Sequence, residues 1–518
     1  MEPLDISKEI GNTTWIDSFG FQCEISKGIF QENLKKYTSN TETLQKRQQS
    51  IRVLREKILQ ITRQNPKELL EIDELFRDLK NLETQLEEFE TAPKEWEKEG
   101  KSQILFTSEW SKPFNHIPFL LPAAAIFKIY IFPFFAVILP LLAWILPYVV
   151  VRFFFKMDMP FETYKVLMMN MWLGGKSWIS MGFWEQLRVI FQTAWTAFGI
   201  FQGMYQPIQQ AYHTKGIDDT IVKHGTLLQA FAFKVRRLFE MMGNMKGKLI
   251  ENPFLDAIPL DEPRQTYAHV RDHPKDIQWI WRKIGDLEVE WRFANAVQLN
   301  FVEYSPAKSL CLEMKDFFDP AIPPEICVTS SISLKGTSSH AMLTGPNKGG
   351  KSSTLRALFL NVWLAHTYGL VFARNARVST LSWVQSGLRL ADSPGTESMF
   401  EKEILFGVST LRLARSGKPG IVFYDECFHS TNPPDGEKTA RIFLQNLWKQ
   451  ANVLSIVSTH IFSLVETAPP AIQKLCVPAE KTPTGILYSF ELAPGICKVS
   501  SVEEIYKKFG FPCDAVKS

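Results

Sequence analysis

The stretch Ala341-Met342-Leu343-Thr344-Gly345-Pro346-Asn347-Lys348-Gly349-Gly350-Lys351-Ser352-Ser353 decides how the rest of the chain reads. A short apolar run enters it, and Thr354, Leu355, Ala357, Leu358 and Leu360 continue it as a helix. Gly345 to Ser352 is a complete GxxxxGK[ST] loop in a strand-loop-helix setting. The glycines let backbone N–H groups close around phosphate oxygens, and the helix N-terminus adds the positive end of its dipole. The spacing predicts Lys351 on the β- and γ-phosphates and the Ser352 hydroxyl on Mg²⁺. Gly345, Pro346, Asn347, Lys348, Gly349, Gly350 and Ser353 supply the rest of the cradle.

Two later strands supply what such a loop needs. Ile421 to Tyr424 is an apolar run ending in Asp425 and Glu426. A nucleotide hydrolase needs one carboxylate on the metal and another beside the attacking water, so Asp425 is predicted to take the metal and Glu426 to polarise the water. Val453 to Thr459 ends at His460, placed to reach a γ-phosphate or its water. The catalytic set is then Lys351, Glu426 and His460, the metal set Ser352 and Asp425, and the reaction Mg-ATP hydrolysis.

These residues resemble the MutS ATPases, whose fold belongs to the ABC-type P-loop class. Thr344 to Ser352 is similar to that family's TGPNMGGKS, with Lys348 in place of its Met. Thr431, Asp435 and Gly436 keep the offsets of its GRGTSTxDG loop, whose glycines and arginine are absent here. Ser398, Phe400 and Glu403 match its STFMxE segment, Ser458-Thr459-His460 with Leu464 resembles its ATH segment, and Gly495-Ile496 and Gly510-Phe511-Pro512 resemble its closing residues. The resemblance covers roughly residues 305–515. It implies that Ser398 completes the nucleotide site of a partner subunit, and hence an ATP-dependent homodimer through this domain. DNA binding is implied by the resemblance alone.

Upstream the chain is helical in pattern. Ile51, Leu54, Ile58 and Ile61, then after Pro66 Ile72, Leu75, Leu79, Leu82, Leu86 and Phe89, recur at three- and four-residue steps. They predict two amphipathic helices forming a stalk or coiled-coil hairpin, with Asn65-Pro66 at the bend. Lys46, Arg47, Arg52, Arg55, Glu56, Glu83, Glu87 and Glu88 are expected in water. From 117 to 155 the chain is almost wholly apolar, and Ile129 to Val151 is an uncharged run of 23 residues. A hydrocarbon core of about 30 Å needs about 20 helical residues, so this run is long enough to cross. Pro133, Pro140 and Pro147 fit a kinked or re-entrant hairpin as well as a straight span. The lysines before the run (94, 98, 101 and 112) nearly balance Arg152, Lys156 and Lys165 after it, leaving orientation open. Val189 to Thr214 is a second uncharged stretch, with five Gln, suited to the interface or to packing on protein.

The expected organisation is an N-terminal segment (1–40), a helical coiled-coil hairpin (41–100), a transmembrane or re-entrant segment (117–155), a lever-like helical region (160–304) and an α/β P-loop ATPase domain of MutS type (305–518). Composition agrees. Across 518 residues, 58 Lys and Arg against 55 Asp and Glu give a net charge of +3, unlike a nucleic-acid-coating protein or an acidic tail. Aromatics at 13% exclude global disorder. Seven scattered Cys without a CxxC pair speak for a reducing compartment and against a disulfide framework or zinc site. The first thirty residues contain no apolar signal core, so the ATPase is expected to face the cytosol from a membrane-associated chain. Phe30-Gln31-Glu32 has the spacing of the repair family's Phe-x-Glu base-reading motif, but it sits at the edge of the heptad region and reads as coincidence. Lys234-Val235-Arg236-Arg237 reads as a solvated helix face. Two functions follow: a membrane-associated MutS-like nucleotide switch with a repair-related DNA role, or a membrane-remodelling or scaffold ATPase with no DNA substrate.

Overall fold

The computed structural model describes residues 14–86, 102–172, 178–305, 310–389, 398–483 and 485–511. Glu87, Glu88, Phe89, Lys94, Lys98, Lys101, Pro512 and Cys513 lie outside the described residues. The chain divides into two compact units, residues 1–77, 240–250 and 281–518 in one and 78–239 and 251–280 in the other.

The first unit opens with α1 (Thr14–Asp17), α2 (Glu24–Leu34) and α3 (Thr41–Gln64). Asn40 caps α3 by accepting the Thr43 N–H, and Asn65 closes it just before Pro66 opens α4 (Pro66–Leu86). α3 buries Leu44, Gln48, Ile51, Leu54, Ile58 and Ile61, the expected apolar stripe with Gln48 filling its one polar place. The Gln48 amide donates to the Val302 and Gly369 carbonyls at 2.9 and 2.7 Å, which is what permits its burial. The expectation of a solvated charged face fails at Arg55. Its guanidinium donates to the carbonyls of Phe293, Ala294, Ala296 and Leu299 and lies 4.8 Å over the Phe301 ring. A cation is favourable at carbonyls left open by a helix C-terminus, and its stem covers apolar surface. α3 is thus packed into this unit and does not stand off as a stalk. Phe30 is fully buried among Trp15, Phe19, Phe21, Phe293 and Tyr368, and Glu32 pairs with Arg282, so neither side chain is free to read a base.

In the second unit, α5 (Leu120–Ile126) and α6 (Phe132–Val149) are joined by a π-helical stretch, Phe127–Ile131, and a second, Val150–Phe154, follows. The apolar run is therefore one uninterrupted helical segment with Pro140 and Pro147 inside it, and no re-entrant turn forms within it. α7 (Phe161–Trp172) then folds back, donating the Tyr164 hydroxyl to the Trp144 carbonyl at 2.8 Å and setting Phe161 and Tyr164 against Tyr148. α8 (Phe183–Lys246) is 64 residues long and contains the second uncharged stretch. α9 (Pro253–Ala257), α10 (Pro263–Asp272) and α11 (Pro274–Asn295) follow, and the division between units falls within α4, α8 and α11. Lys234 pairs with Asp78 at 2.5 Å, and Arg236 donates to the carbonyls of Leu255, Asp256 and Ile258. Two of the three basic residues expected on a solvated face are thus committed to packing.

A Cβ at Gly225 of α8 would lie 2.0 Å from the Pro263 carbonyl oxygen, a backbone atom that cannot step aside. Gly225→Ala is expected to cost about 2 kcal/mol through this overpacking, read as a lower urea midpoint with an unchanged slope. Full stability in the variant would mean that α8 and the start of α10 do not approach as described.

The strands lie in the first unit. β1 (Asn300–Ser305), β2 (Cys311–Phe317), β3 (Ser330–Lys335), β5 (Leu370–Val371) and β6 (Asn375–Ser379) form one sheet in the order β3-β2-β6-β1-β5. β4 (His340–Thr344), β7 (Trp383–Gly387), β8 (Gly420–Tyr424), β9 (Val453–Ser458), β10 (Gln473–Cys476) and β13 (Ala493–Pro494) form a second in the order β13-β10-β4-β9-β8-β7, parallel except at β13. β11 (Ala479–Thr482) and β12 (Gly485–Tyr488) pair alone. β4, β8 and β9 are buried along their whole length, as expected of central strands with both faces covered. α12 (Lys351–Thr367), α13 (Met399–Ala414), α14 (Pro433–Leu447), α15 (Phe462–Glu466) and α16 (Val502–Phe509) complete the α/β arrangement.

Candidate functional site

Because β4, β9 and β8 are parallel neighbours, their C-terminal ends open on the same edge of the sheet. The register sets Leu343 beside Ser458 and Tyr424 beside Val457. The glycine-rich loop after β4, the acid pair after β8 and the histidine after β9 are thereby brought together, where parallel α/β sheets hold ligands.

The loop is bent as its glycines permit. Gly345 and Gly350 take φ of +152° and +100°, and Lys348 is left-handed at +65°. Lys351, 5% exposed, donates its ammonium to the Gly345 and Pro346 carbonyls at 2.9 and 3.1 Å. Burial pushes its pKa down, while Glu426 and Asp425 pull it back up. A buried cation resting on two neutral carbonyls, inside a curl of backbone at a helix N-terminus, fits a phosphate anion. Ser352 is exposed at the start of α12, and Ser353 is half-buried beside it.

Asp425 and Glu426 are held by Ser458. The Ser458 hydroxyl donates to Asp425 Oδ1 and accepts the Glu426 N–H at 2.8 Å. Glu426 and Phe428 are left-handed non-glycine residues, at φ +50° and +54°, a strained path that surrounding bonds must enforce. The Cys427 N–H to the Ser458 carbonyl is one such bond. Glu403 of α13 gives others: fully buried, it accepts from the N–H groups of His429 and Ser430 and from the Ser430 hydroxyl. Glu403→Ala is expected to cost about 1–3 kcal/mol by leaving those donors unsatisfied. Thermal unfolding of the variant reads the effect, and a variant matching the parent would deny Glu403 this role.

His460 Nε2 lies 3.1 Å from Glu426 Oε1, with both side chains partly exposed. This hydrogen bond holds the Glu426 carboxyl below the usual carboxylate range, with burial opposing it. Glu426 is therefore ionised at neutral pH and fit to orient a water.

A cavity of about 630 Å³ opens beside the loop. Pro346, Asn347, Lys348, Gly350, Lys351, Ser352, Ser353 and Glu426 line it, while Asp425 and His460 stand just outside, joined to Glu426 through Ser458 and by direct hydrogen bond. Gly345 and Gly349 form the loop without lining the cavity. Ser398 does not join them. It caps α13 in a reciprocal capping box with Glu401 and is exposed.

The far wall was not foreseen. Phe318, Ile322, Ile326 and Phe490 give the cavity an apolar wall beside the glycine-rich loop. Asp319, 3% exposed, fixes this wall to α12 through Arg356 Nε at 2.7 Å and accepts the Ala321 N–H. These residues follow no local motif: the β2–β3 connection brings Phe318, Ile322 and Ile326 to the loop, and the segment after β12 brings Phe490.

Residues 341–518 match the protein family described as MutS domain V. The DNA mismatch repair protein MutS of Anaplasma phagocytophilum is 23% identical over 320 residues, 61% of this chain and 38% of that protein. The DNA mismatch repair protein MutS of Natronomonas pharaonis is 28% identical over 188 residues, 36% of this chain and 22% of that protein. The chain thus spans well under half the length of either relative, although the first similarity continues upstream of the matched domain. Taken with the α/β architecture, these matches identify the C-terminal part of the chain, residues 341–518, as a MutS-family part.

Proposed function

We propose that the chain is a membrane-associated MutS-like ATPase that binds and hydrolyses Mg-ATP as a dimerising nucleotide switch. The observation that carries this reading is the convergence of the P-loop, Asp425, Glu426 and His460 on the ends of three adjacent parallel strands. Lys351 and the loop amides hold the β- and γ-phosphates, and the apolar wall at Phe318 and Phe490 takes the base. Ser352 and Asp425 would hold Mg²⁺, and the ion would supply charge neutralisation at the phosphates. Glu426, oriented by His460, aims the attacking water along the phosphoryl axis. Ser398, exposed and outside its own chain's cavity, suits a role at a partner's site.

The similar proteins are DNA mismatch repair proteins, which supports a repair-related DNA role. The reading without DNA draws on a different observation: the helical stretch Leu120–Pro140 is apolar and only 22% buried, whereas a soluble core helix of that length is mostly buried. ATP turnover by the full chain in lipid nanodiscs, with homoduplex, mismatched or branched DNA, separates the two. Structure-selective stimulation by DNA supports the repair role. Turnover that follows lipid and ignores DNA supports a membrane ATPase.

A further inference from the structure

The apolar part of the second unit has a plan that membrane association alone does not specify. The 23 uncharged residues Ile129–Val151 are followed by a charged connection from Arg152 to Arg188, and then by the 26 uncharged residues Val189–Thr214. At 1.5 Å per residue the two uncharged stretches measure about 35 and about 39 Å as helices, each enough for a hydrocarbon core of about 30 Å. Among the described residues only Leu120–Pro140 is apolar enough to register as a span by itself. The second stretch is weaker because of its five Gln, which gather with Gly199 and Gly203 on one helical face at the spacing of a packed transmembrane pair. Its other face carries Phe198, Phe201 and Tyr205, at least half exposed.

The two stretches begin and end at one place. Lys128 donates to the Gln103 carbonyl at 2.7 Å, and Thr214 donates to the Gln103 side chain at 2.9 Å. One turn further out, adjacent residues of α10 repeat the clasp: Gln265 donates to the Ile117 carbonyl at 2.8 Å, and Arg264 grips Asp218 with two bonds of 2.7 Å. Residue 128 entering and residue 214 leaving therefore share one anchorage, and the intervening chain has to return to the side from which it left.

We propose that residues 129–214 form a two-crossing helical hairpin in a lipid bilayer, with residues 152–160 on the far face and the Gln103 clasp on the near face. The inference rests on the membrane reading above and adds the number of crossings and the second span. The occupant of the exposed apolar surface is the hydrocarbon of a bilayer, since both uncharged stretches match its thickness and charge returns at each end of both.

The test uses the full chain in sealed vesicles with the C-terminal domain outside, carrying one reporter at a time: Glu109→Cys, Asp158→Cys or Lys215→Cys. A membrane-impermeant maleimide is added with and without detergent, and the labelled peptide is identified by mass, which separates it from the native cysteines. The expected result is labelling at 109 and 215 in intact vesicles, with at least tenfold protection at 158 that detergent removes. Labelling at 158 without detergent would mean a hairpin lying in the interface and would overturn the proposal. Protection at 215 with labelling at 109 would mean an odd number of crossings and would overturn it equally. A full chain released from vesicles by alkaline carbonate would instead remove the membrane reading on which the proposal stands.

Discussion

Lys351→Ala is expected to lower ATP turnover by at least about 100-fold, on the scale of removing one preorganised charge-stabilising donor from a reacting centre. The fold should survive the change. Lys351 is a buried ammonium whose hydrogen bonds go to two neutral carbonyls, and its burial disfavours its charge, so the protein without nucleotide loses little when it goes. The difference appears on adding ligand. A site that binds only the folded state stabilises it by about 2.7 kcal/mol at a ligand concentration 100 times Kd. The parent chain should therefore show a clear rise in Tm with Mg-ATP, and the variant almost none. A variant with normal unliganded Tm, normal turnover and a normal Mg-ATP shift would contradict the assignment of this loop.

Glu288→Ala is expected to destabilise the first unit by about 3–5 kcal/mol, the cost of stripping one partner from a buried charged network. Helix α2 starts after Cys23, whose side chain makes no capping bond. Its N-terminal donors are met from elsewhere: the fully buried Glu288 carboxylate on α11 accepts the Gln22 and Cys23 N–H groups at 2.6 and 3.1 Å and the Ser26 hydroxyl at 2.6 Å. A carboxylate at a helix N-terminus is also favoured by the dipole. Truncation orphans all three donors and removes one carboxylate partner of Arg292, which also pairs with Asp73. Glu288→Gln, which keeps one acceptor oxygen but neither the second nor the charge, should fall between. Equilibrium unfolding in urea reads the series, and a loss under about 1 kcal/mol in Glu288→Ala would mean that α2 is not held in this way.

The parts of this protein that were legible in its sequence are those whose physics is local. Leu44, Ile51, Leu54, Ile58 and Ile61 declare a helix face by spacing, and Asn65-Pro66 marks its end. The loop from Gly345 to Ser352 is contiguous, and the apolar strands ahead of Asp425 and His460 announce where those side chains emerge. What stayed hidden depends on distant partners. Arg55 looks like a surface cation until the open carbonyls at the end of α11 are brought to it, and Gln48 looks like a break in the stripe until Val302 and Gly369 face it. The wall formed by Phe318, Ile322 and Phe490 joins segments some 170 residues apart and leaves no periodic trace. Of the observations behind the hairpin proposed for 129–214, the uncharged lengths are in the sequence, but the shared anchorage at Gln103 is not.

The central claim, that Lys351, Asp425, Glu426 and His460 form one Mg-ATP hydrolysing site, is tested most directly by single-turnover hydrolysis of ATP by the full chain beside Glu426→Gln. The account predicts that both proteins bind ATP with similar affinity, that the parent converts it in a Mg²⁺-dependent step, and that Glu426→Gln retains it uncleaved with a rate at least about 100-fold lower. Cleavage by Glu426→Gln at the parent rate, or a parent chain that binds no ATP with Mg²⁺ present, would contradict it.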